Sequence, residues 1–286
     1  MVTPFDAEGA VDFDVARELA RYLVDHGSDG LVVAGSTGEG GALSDEEKLD
    51  LFACVSEAVT VPVLAGSTSG DTARSVELTN RAAATGVQGI LATTPAYSRP
   101  SQQGIAAHFG AIAESTHLPI MLYDIPARTG RKVASTTTIA LAQAHQNVVA
   151  LKDASGDLPS AAHVRYVLGS EFDLYSGDDA LVLPFLSLGA VGVVSVASHW
   201  AGLEFNAMIR AYEAGDSALA LSLNERLSAS CVFEGTEIYP NPLPTKAVMN
   251  ALGIRVGECR LPLGSADEIL RREASLVLAA LHGQRG

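Results

Sequence analysis

The sequence predicts an α/β fold, a (β/α)8 barrel of the TIM type with a C-terminal helical extension, and three observations carry that prediction. Short apolar runs, of the kind a strand shows when both its faces are covered, recur between Val2 and Val196. A stretch with helical spacing of apolar residues separates each run from the next, and the connections are short and marked by Gly, Pro, Asp and Ser. Strands alternating with helices at this interval make parallel βαβ units. Eight such units, counting a short first strand, close a barrel.

Val2-Thr3 reads as the tail of a first strand that is very short or begins upstream of Met1. Phe13–His26 has helical periodicity, and Gly27 stands where a helix end favours glycine. Gly30–Ala34 is a buried strand that runs into the turn Gly35–Gly41, GSTGEGG. Ser44 and Glu47 make a capping box that opens a helix to about Val59, and Val61–Ala65 is the next strand. Asp71–Thr85 is helical up to Gly86, and the strand Gly89–Thr93 ends in Thr94-Pro95-Ala96-Tyr97. Ser101–Thr116 is a helix, and Pro119–Tyr123 is a strand closed by Asp124-Ile125-Pro126. A helix from about Thr136 to Ala144 leads into the apolar run Val148–Leu151, which ends on Lys152 before the turn residues Asp153, Ser155 and Gly156. Helix Pro159–Leu168, strand Phe172–Tyr175, helix Asp179–Leu188 and strand Val191–Val196 complete the alternation.

From Trp200 onward only helices are legible, near Leu203–Ala214, Asp216–Val232, Thr245–Leu252 and Ala266–Leu281. Residues 1–199 are therefore taken as the barrel core, and residues 200–286 as its last helix with a helical extension that offers an assembly surface. A doubly wound nucleotide-binding sheet is the rival architecture, but GSTGEGG matches GxGxxG spacing poorly and neither a Walker A motif nor GxSxG is present.

Composition narrows the function. A net charge of −14 argues against a nucleic-acid partner, whose phosphates are met by clusters of Lys and Arg. Cys54, Cys231 and Cys259 are odd in number and form no CxxC, which suits a reducing cytoplasm. No leader or bilayer-length apolar run is present, so a soluble cytoplasmic protein with no membrane partner is expected. The seven His show no ligand spacing, and no metal site is expected.

Lys152 is the centre of the chemistry. A lysine at the rim of a buried strand has an apolar stem and an amine partly withdrawn from water, and a neutral amine is what attacks a carbonyl to form a Schiff base. Barrel active sites draw on strand C-termini and the loops after them. There the sequence collects Ser36, Thr37, Tyr97, Tyr123, Arg128, Lys152 and the turn Ser176-Gly177-Asp178-Asp179. That is an amine nucleophile, a phenol to move protons, hydroxyls to relay them and a guanidinium for a carboxylate. Each has a plainer reading taken alone: Lys152 paired with Asp153, Arg128 solvated, the tyrosines at a wet rim, Asp178 or Asp179 capping the next helix.

Six blocks in order, GSTGE at 35–39, TPAYSRPSQ at 94–102, LYDIPARTG at 122–130, ALKDASG at 150–156, YSGDDA at 175–180 and PNPLPTK at 240–246, together with VTPFD at the start, resemble the dihydrodipicolinate synthase family. That family belongs to the pyruvate-dependent class I aldolases, as do the N-acetylneuraminate lyases. The resemblance implies that Lys152 forms a Schiff base with pyruvate and that no separate cofactor is needed. It implies that Tyr123 gives and takes the proton, linked by hydroxyls to Ser36 and to Tyr97 reaching in from a neighbouring protomer. Thr37 would hold the pyruvate carboxylate, Val194 and Gly177 would line the substrate pocket, and Arg128 would bind the carboxylate of L-aspartate 4-semialdehyde. The product would be 4-hydroxy-tetrahydrodipicolinate, on the route to diaminopimelate and lysine, and the assembly a homotetramer built from dimers.

Ser36 stands where these synthases usually have Thr, which keeps the hydroxyl. The same triplet occurs in neuraminate lyases, so an aldolase for a 2-keto-3-deoxy sugar acid stays open, as does a catalytically idle barrel with a binding role. Arg128 favours the synthase. Family members inhibited by lysine use a second Tyr, an Asn and a Glu where this chain has Ala96, Gly70 and Arg74, so feedback by lysine is expected to be weak or absent.

Overall fold

The computed structural model describes residues 1–283. The chain groups into two compact units, one of Met1–Val61 with Ser195–Gly286 and one of Pro62–Val194.

The first unit opens with a buried stretch that is not a ladder strand. Val2 N donates to His199 Nε2 at 3.1 Å and Thr3 Oγ1 donates to Gly38 O at 2.6 Å. Pro4 has no N–H to offer, and the regular pairing here is one antiparallel bridge between Phe5 and Val11. The described residues hold seven strands, not the eight expected: Met1 N reaches Val32 O of the next strand at 2.6 Å, but Val2 N and Thr3 Oγ1 bond to groups outside any strand.

Helix α1 (Phe13–Asp25) starts where Asp12 accepts from Val15 N, and it buries Ala16, Leu19, Ala20 and Leu23, one face of a 3.6-residue repeat. Gly27 follows with φ of +98°, a conformation that side chains rarely adopt. Strand β1 (Leu31–Val33) leads into the glycine-rich turn and then α2 (Asp45–Ala58). The expected capping box is present: Ser44 Oγ accepts from Glu47 N at 3.1 Å and Glu47 Oε2 accepts from Ser44 N at 2.8 Å.

The second unit runs β2 (Val63–Ala65), α3 (Thr72–Ala82), β3 (Gly89–Thr93), α4 (Gln102–Glu114), β4 (Ile120–Asp124), α5 (Pro126–Thr129), α6 (Ser135–Ala144), β5 (Val148–Asp153), α7 (Leu158–Leu168), β6 (Asp173–Ser176), α8 (Val182–Ser187) and β7 (Gly192–Val193). Each of these strands pairs in parallel with the next in sequence. Such winding has no switch in strand order, the feature that defines a doubly wound nucleotide-binding sheet. Every residue of β4 is buried, as expected of a strand covered on both faces.

Several boundaries moved. The strand expected over Val191–Val196 shortens to β7, although Val191 N and Val194 N still donate to Leu174 O and Ser176 O, both at 2.9 Å. The helix expected over Asp179–Leu188 divides into a 3-10 turn, Asp179–Leu181, and α8, with Asp178 accepting from Ala180 N as its cap. Segment 126–129, read as loop, is the one-turn helix α5, started by Pro126 and ended by Gly130 at φ +72°.

The first unit resumes with α9 (Ser198–Glu213), α10 (Ser217–Phe233), α11 (Leu243–Ala251) and α12 (Glu268–Gly283). Helix α9 begins earlier than its periodicity predicts because Ser195 Oγ accepts from Ser198 N at 2.8 Å and starts the turn. Among the described residues no helix is long and apolar enough to cross a membrane.

Candidate active site

Parallel register in the second unit sets Tyr123 of β4 opposite Lys152 of β5, and Asp124 opposite Asp153. Side chains alternate along a strand, so Tyr123 and Lys152 share one face while the two aspartates take the other. Lys152 Nζ lies 4.2 Å from the centre of the Tyr123 ring. Both residues are buried, Lys152 at 8% exposure and Tyr123 at 3%. An amine is thus presented beside a phenol, with Tyr175 of β6 the register partner on the far side of Lys152. Strand β5 continues through Asp153, one residue beyond the end that the turn residues suggested.

The opposite face carries groups that the sequence reading treated only as turn residues. Asp124 Oδ1 accepts from Val133 N at 3.0 Å, which closes the segment bearing Arg128, and Asp153 Oδ1 accepts from Ser155 N at 2.7 Å. Both carboxyls are almost fully buried. Burial pushes Asp124 up from 3.8 to about 7, against the Val133 hydrogen bond, and neighbouring Asp153 adds to the rise. Burial likewise raises Asp153, and the Lys132 ammonium, paired with Asp157, opposes both shifts. Between pH 3.8 and about 7 the folded chain therefore holds a proton on Asp124 that the unfolded chain has lost, so this group's contribution to stability falls as pH rises through that window. Asp124→Asn keeps an acceptor for Val133 and removes the titration. It is expected to leave stability near wild type at pH 4 and to exceed it by up to about 4 kcal/mol at pH 8, read from urea midpoints at the two pH values.

The other predicted residues divide between the units. Arg128 lies exposed on α5, whose Gly130 N donates to Pro126 O at 2.9 Å. Tyr97 is 98% exposed with φ of +69°, and the nearby Arg99 Nε donates to Gly130 O at 2.9 Å. Gly177 N donates to Asp153 O at 2.7 Å, and a Cβ there would stand 2.8 Å from Ala154 Cβ, so the position demands glycine. Val194 is half-buried just after β7. Ser36 and Thr37 belong to the first unit, half-buried in the GSTGE turn, where Glu39 N donates to Ser36 O at 3.1 Å and Asn241 Nδ2 donates to Thr37 Oγ1 at 2.9 Å.

The first unit also holds a charged cluster with no signal in local sequence. Lys246, 2% exposed, places Nζ 2.7 Å from Glu39 Oε1, 2.9 Å from Glu258 O and 4.1 Å from the Phe5 ring centre. Arg260 bonds both oxygens of Glu47 and the carbonyls of Gly9 and Ala42, while its N–H donates to Glu39 Oε2. Lys246 is a buried lysine, but its ammonium is enclosed by Glu39, Glu258 and Phe5, which suits it to structure rather than to attack on a carbonyl. Among the described residues no group of three or more His, Cys, Asp or Glu is placed to hold a metal ion.

The model of the dihydrodipicolinate synthetase family matches residues 1–281. A 4-hydroxy-tetrahydrodipicolinate synthase of Moorella thermoacetica is 47% identical over 283 residues, covering 98% of this chain and 95% of the relative. One from Prochlorococcus marinus is 49% identical over 284 residues, covering 98% and 93%. Among solved structures, a dihydrodipicolinate synthase of Cyanidioschyzon merolae with lysine bound is 42% identical, has a TM-score of 0.95 and covers 99% of this chain and 96% of its own. One from Bacillus anthracis is 40% identical, with a TM-score of 0.94 and coverage of 97% and 95%. This agreement and the sequential parallel winding place the fold in the α/β barrel class.

Proposed function

The chain belongs to the dihydrodipicolinate synthetase family, and on that premise we propose that it is a 4-hydroxy-tetrahydrodipicolinate synthase that joins pyruvate to L-aspartate 4-semialdehyde. The observation that carries the residue-level reading is the Lys152 amine beside the Tyr123 phenol. Lys152 Nζ attacks the pyruvate ketone, and loss of one water leaves an iminium. Removal of a methyl proton gives the enamine, whose carbon attacks the aldehyde. The new alkoxide takes a proton, the substrate's own amine then attacks the iminium carbon, and Lys152 leaves as the ring closes. The iminium is the electron sink, so the scheme calls for no separate cofactor.

Tyr123 moves the protons at Lys152, with Ser36 and Tyr97 as its relay. Thr37 takes the pyruvate carboxylate, Val194 and Gly177 line the pocket, and Arg128 takes the carboxylate of the aldehyde substrate. A tyrosine 98% exposed on its own chain is suited to serve a partner's site, which supports a dimer as the smallest complete unit; the assembly in this reading is a homotetramer of such dimers. Residues 1–199 form the catalytic barrel core in this reading, and 200–286 its last helix with the helical extension. Three cysteines with no CxxC spacing are in keeping with a reducing cytoplasm. Pyruvate consumption measured with L-aspartate 4-semialdehyde, N-acetylmannosamine and a simple sugar aldehyde in turn tests the substrate. Turnover with the first alone is expected, and turnover with a sugar in its place would move the chain to the sugar-acid aldolases.

Lysine is expected to be a poor inhibitor. Arg74 stands exposed on α3, a Cβ on Gly70 would lie 3.9 Å from Ala96 O, and a guanidinium repels the ammonium groups of lysine. Initial rates in millimolar lysine should stay within about twofold of the uninhibited rate; strong inhibition would refute the assignment of these positions.

A further inference from the structure

The PNPLPTK block at 240–246 has no role in the scheme above, yet both of its ends grip the GSTGE turn. Asn241 holds Thr37 and Lys246 holds Glu39, two residues further on. The turn needs such restraint. Glu39 has φ of +54°, and a Cβ on Gly40 would meet Ala34 O at 2.1 Å, so the backbone here is tightly packed and unusual in conformation. Within this grip the direction of one hydrogen bond decides what Thr37 can do.

A hydroxyl has one proton to give and two lone pairs to receive with. Thr245 Oγ1, fully buried, donates to Asn241 Oδ1 at 3.4 Å, which turns the carbonyl end of that amide toward Thr245. The amide's Nδ2 end then faces Thr37 Oγ1 and donates to it. With a lone pair occupied by Asn241, the single proton of Thr37 remains for another acceptor. We propose that Asn241 is a positioning residue for substrate capture: it holds the Thr37 hydroxyl as an acceptor on one side so that its proton is presented to the carboxylate of pyruvate on the other. The assignment rests on the reading of Thr37 as the carboxylate-binding residue.

The test is a double-mutant cycle read in the Michaelis constants for the two substrates. Asn241→Leu removes the donor without adding charge, and Asn241→Ala is the second variant should the leucine side chain prevent folding. Either is expected to raise KM for pyruvate about fivefold to tenfold, with kcat at saturating pyruvate and KM for the aldehyde each within about twofold of wild type, the pattern for lost ground-state binding. In a Thr37→Val background the same change should add nothing, because the group it orients is gone. An unchanged pyruvate KM in the Asn241 variants beside a raised one in Thr37→Val would overturn the proposal and leave the Thr37 reading standing. An effect of equal size in both backgrounds would mark Asn241 as structural and also overturn it. An unchanged pyruvate KM in Thr37→Val would remove the Thr37 reading and the proposal together.

Discussion

Lys152→Ala is expected to lower kcat/KM for the condensation by about 1,000-fold or more, the scale on which enzymes lose activity with their nucleophile. The chain has other buried lysines, yet Lys246 is enclosed by Glu39, Glu258 and Phe5, so no substitute amine stands ready there. Lys152→Arg should be equally inactive, since a guanidinium keeps the charge and length of the side chain but does not form the imine. Thermal unfolding separates lost chemistry from lost fold. Lys152 is packed against the Tyr123 ring at the rim of β5, and shortening it removes a buried polar group along with that contact. The melting temperature should therefore move far less than the activity does. Retention of more than about a tenth of wild-type activity by either variant would exclude Lys152 as the nucleophile.

The second large effect falls on stability. Lys246→Met is expected to destabilise the fold by about 3–5 kcal/mol, because it leaves the Glu39 carboxylate buried without its ammonium. Methionine fills much of the same volume, so the loss reports the charge more than a cavity. Glu39→Gln added to Lys246→Met should recover part of the loss by removing the orphaned charge, although the Arg260 N–H loses an ionised acceptor. Urea unfolding of the single and double variants reads both quantities. A loss below about 1 kcal/mol in the single variant would show that the pair is not what holds the turn.

These two lysines mark the line between what local sequence conveys and what it does not. Lys152 was legible because an apolar run ended on it, and Tyr123 because another run of the same kind did. The parallel register then joins them, a step that βαβ alternation already implies. Caps were equally local: Ser44 with Glu47, and Asp178 before its 3-10 turn, follow from residue types a few positions apart. By contrast, Asn241 and Thr37 are 204 residues apart, and nothing periodic connects a Pro-rich segment to a glycine-rich turn. The family blocks singled out both segments without revealing that one holds the other. Asp124 was missed for a different reason. Its residue type suits the turn it stands beside, whereas it is the last residue of the buried strand β4 and is bonded to Val133 N nine residues on. Val2-Thr3 misled because an apolar β-branched pair matches a strand pattern even where its polar groups are bound to His199 and Gly38.

The most direct test of the central claim is to reduce the protein with borohydride in the presence of pyruvate, weigh the intact chain and map the adduct by proteolysis. Reduction converts the imine to a stable secondary amine. One pyruvate-derived adduct per chain is expected, on the peptide carrying Lys152, and none in Lys152→Ala. An adduct on the peptide carrying Lys246, or no adduct on folded protein, would contradict it.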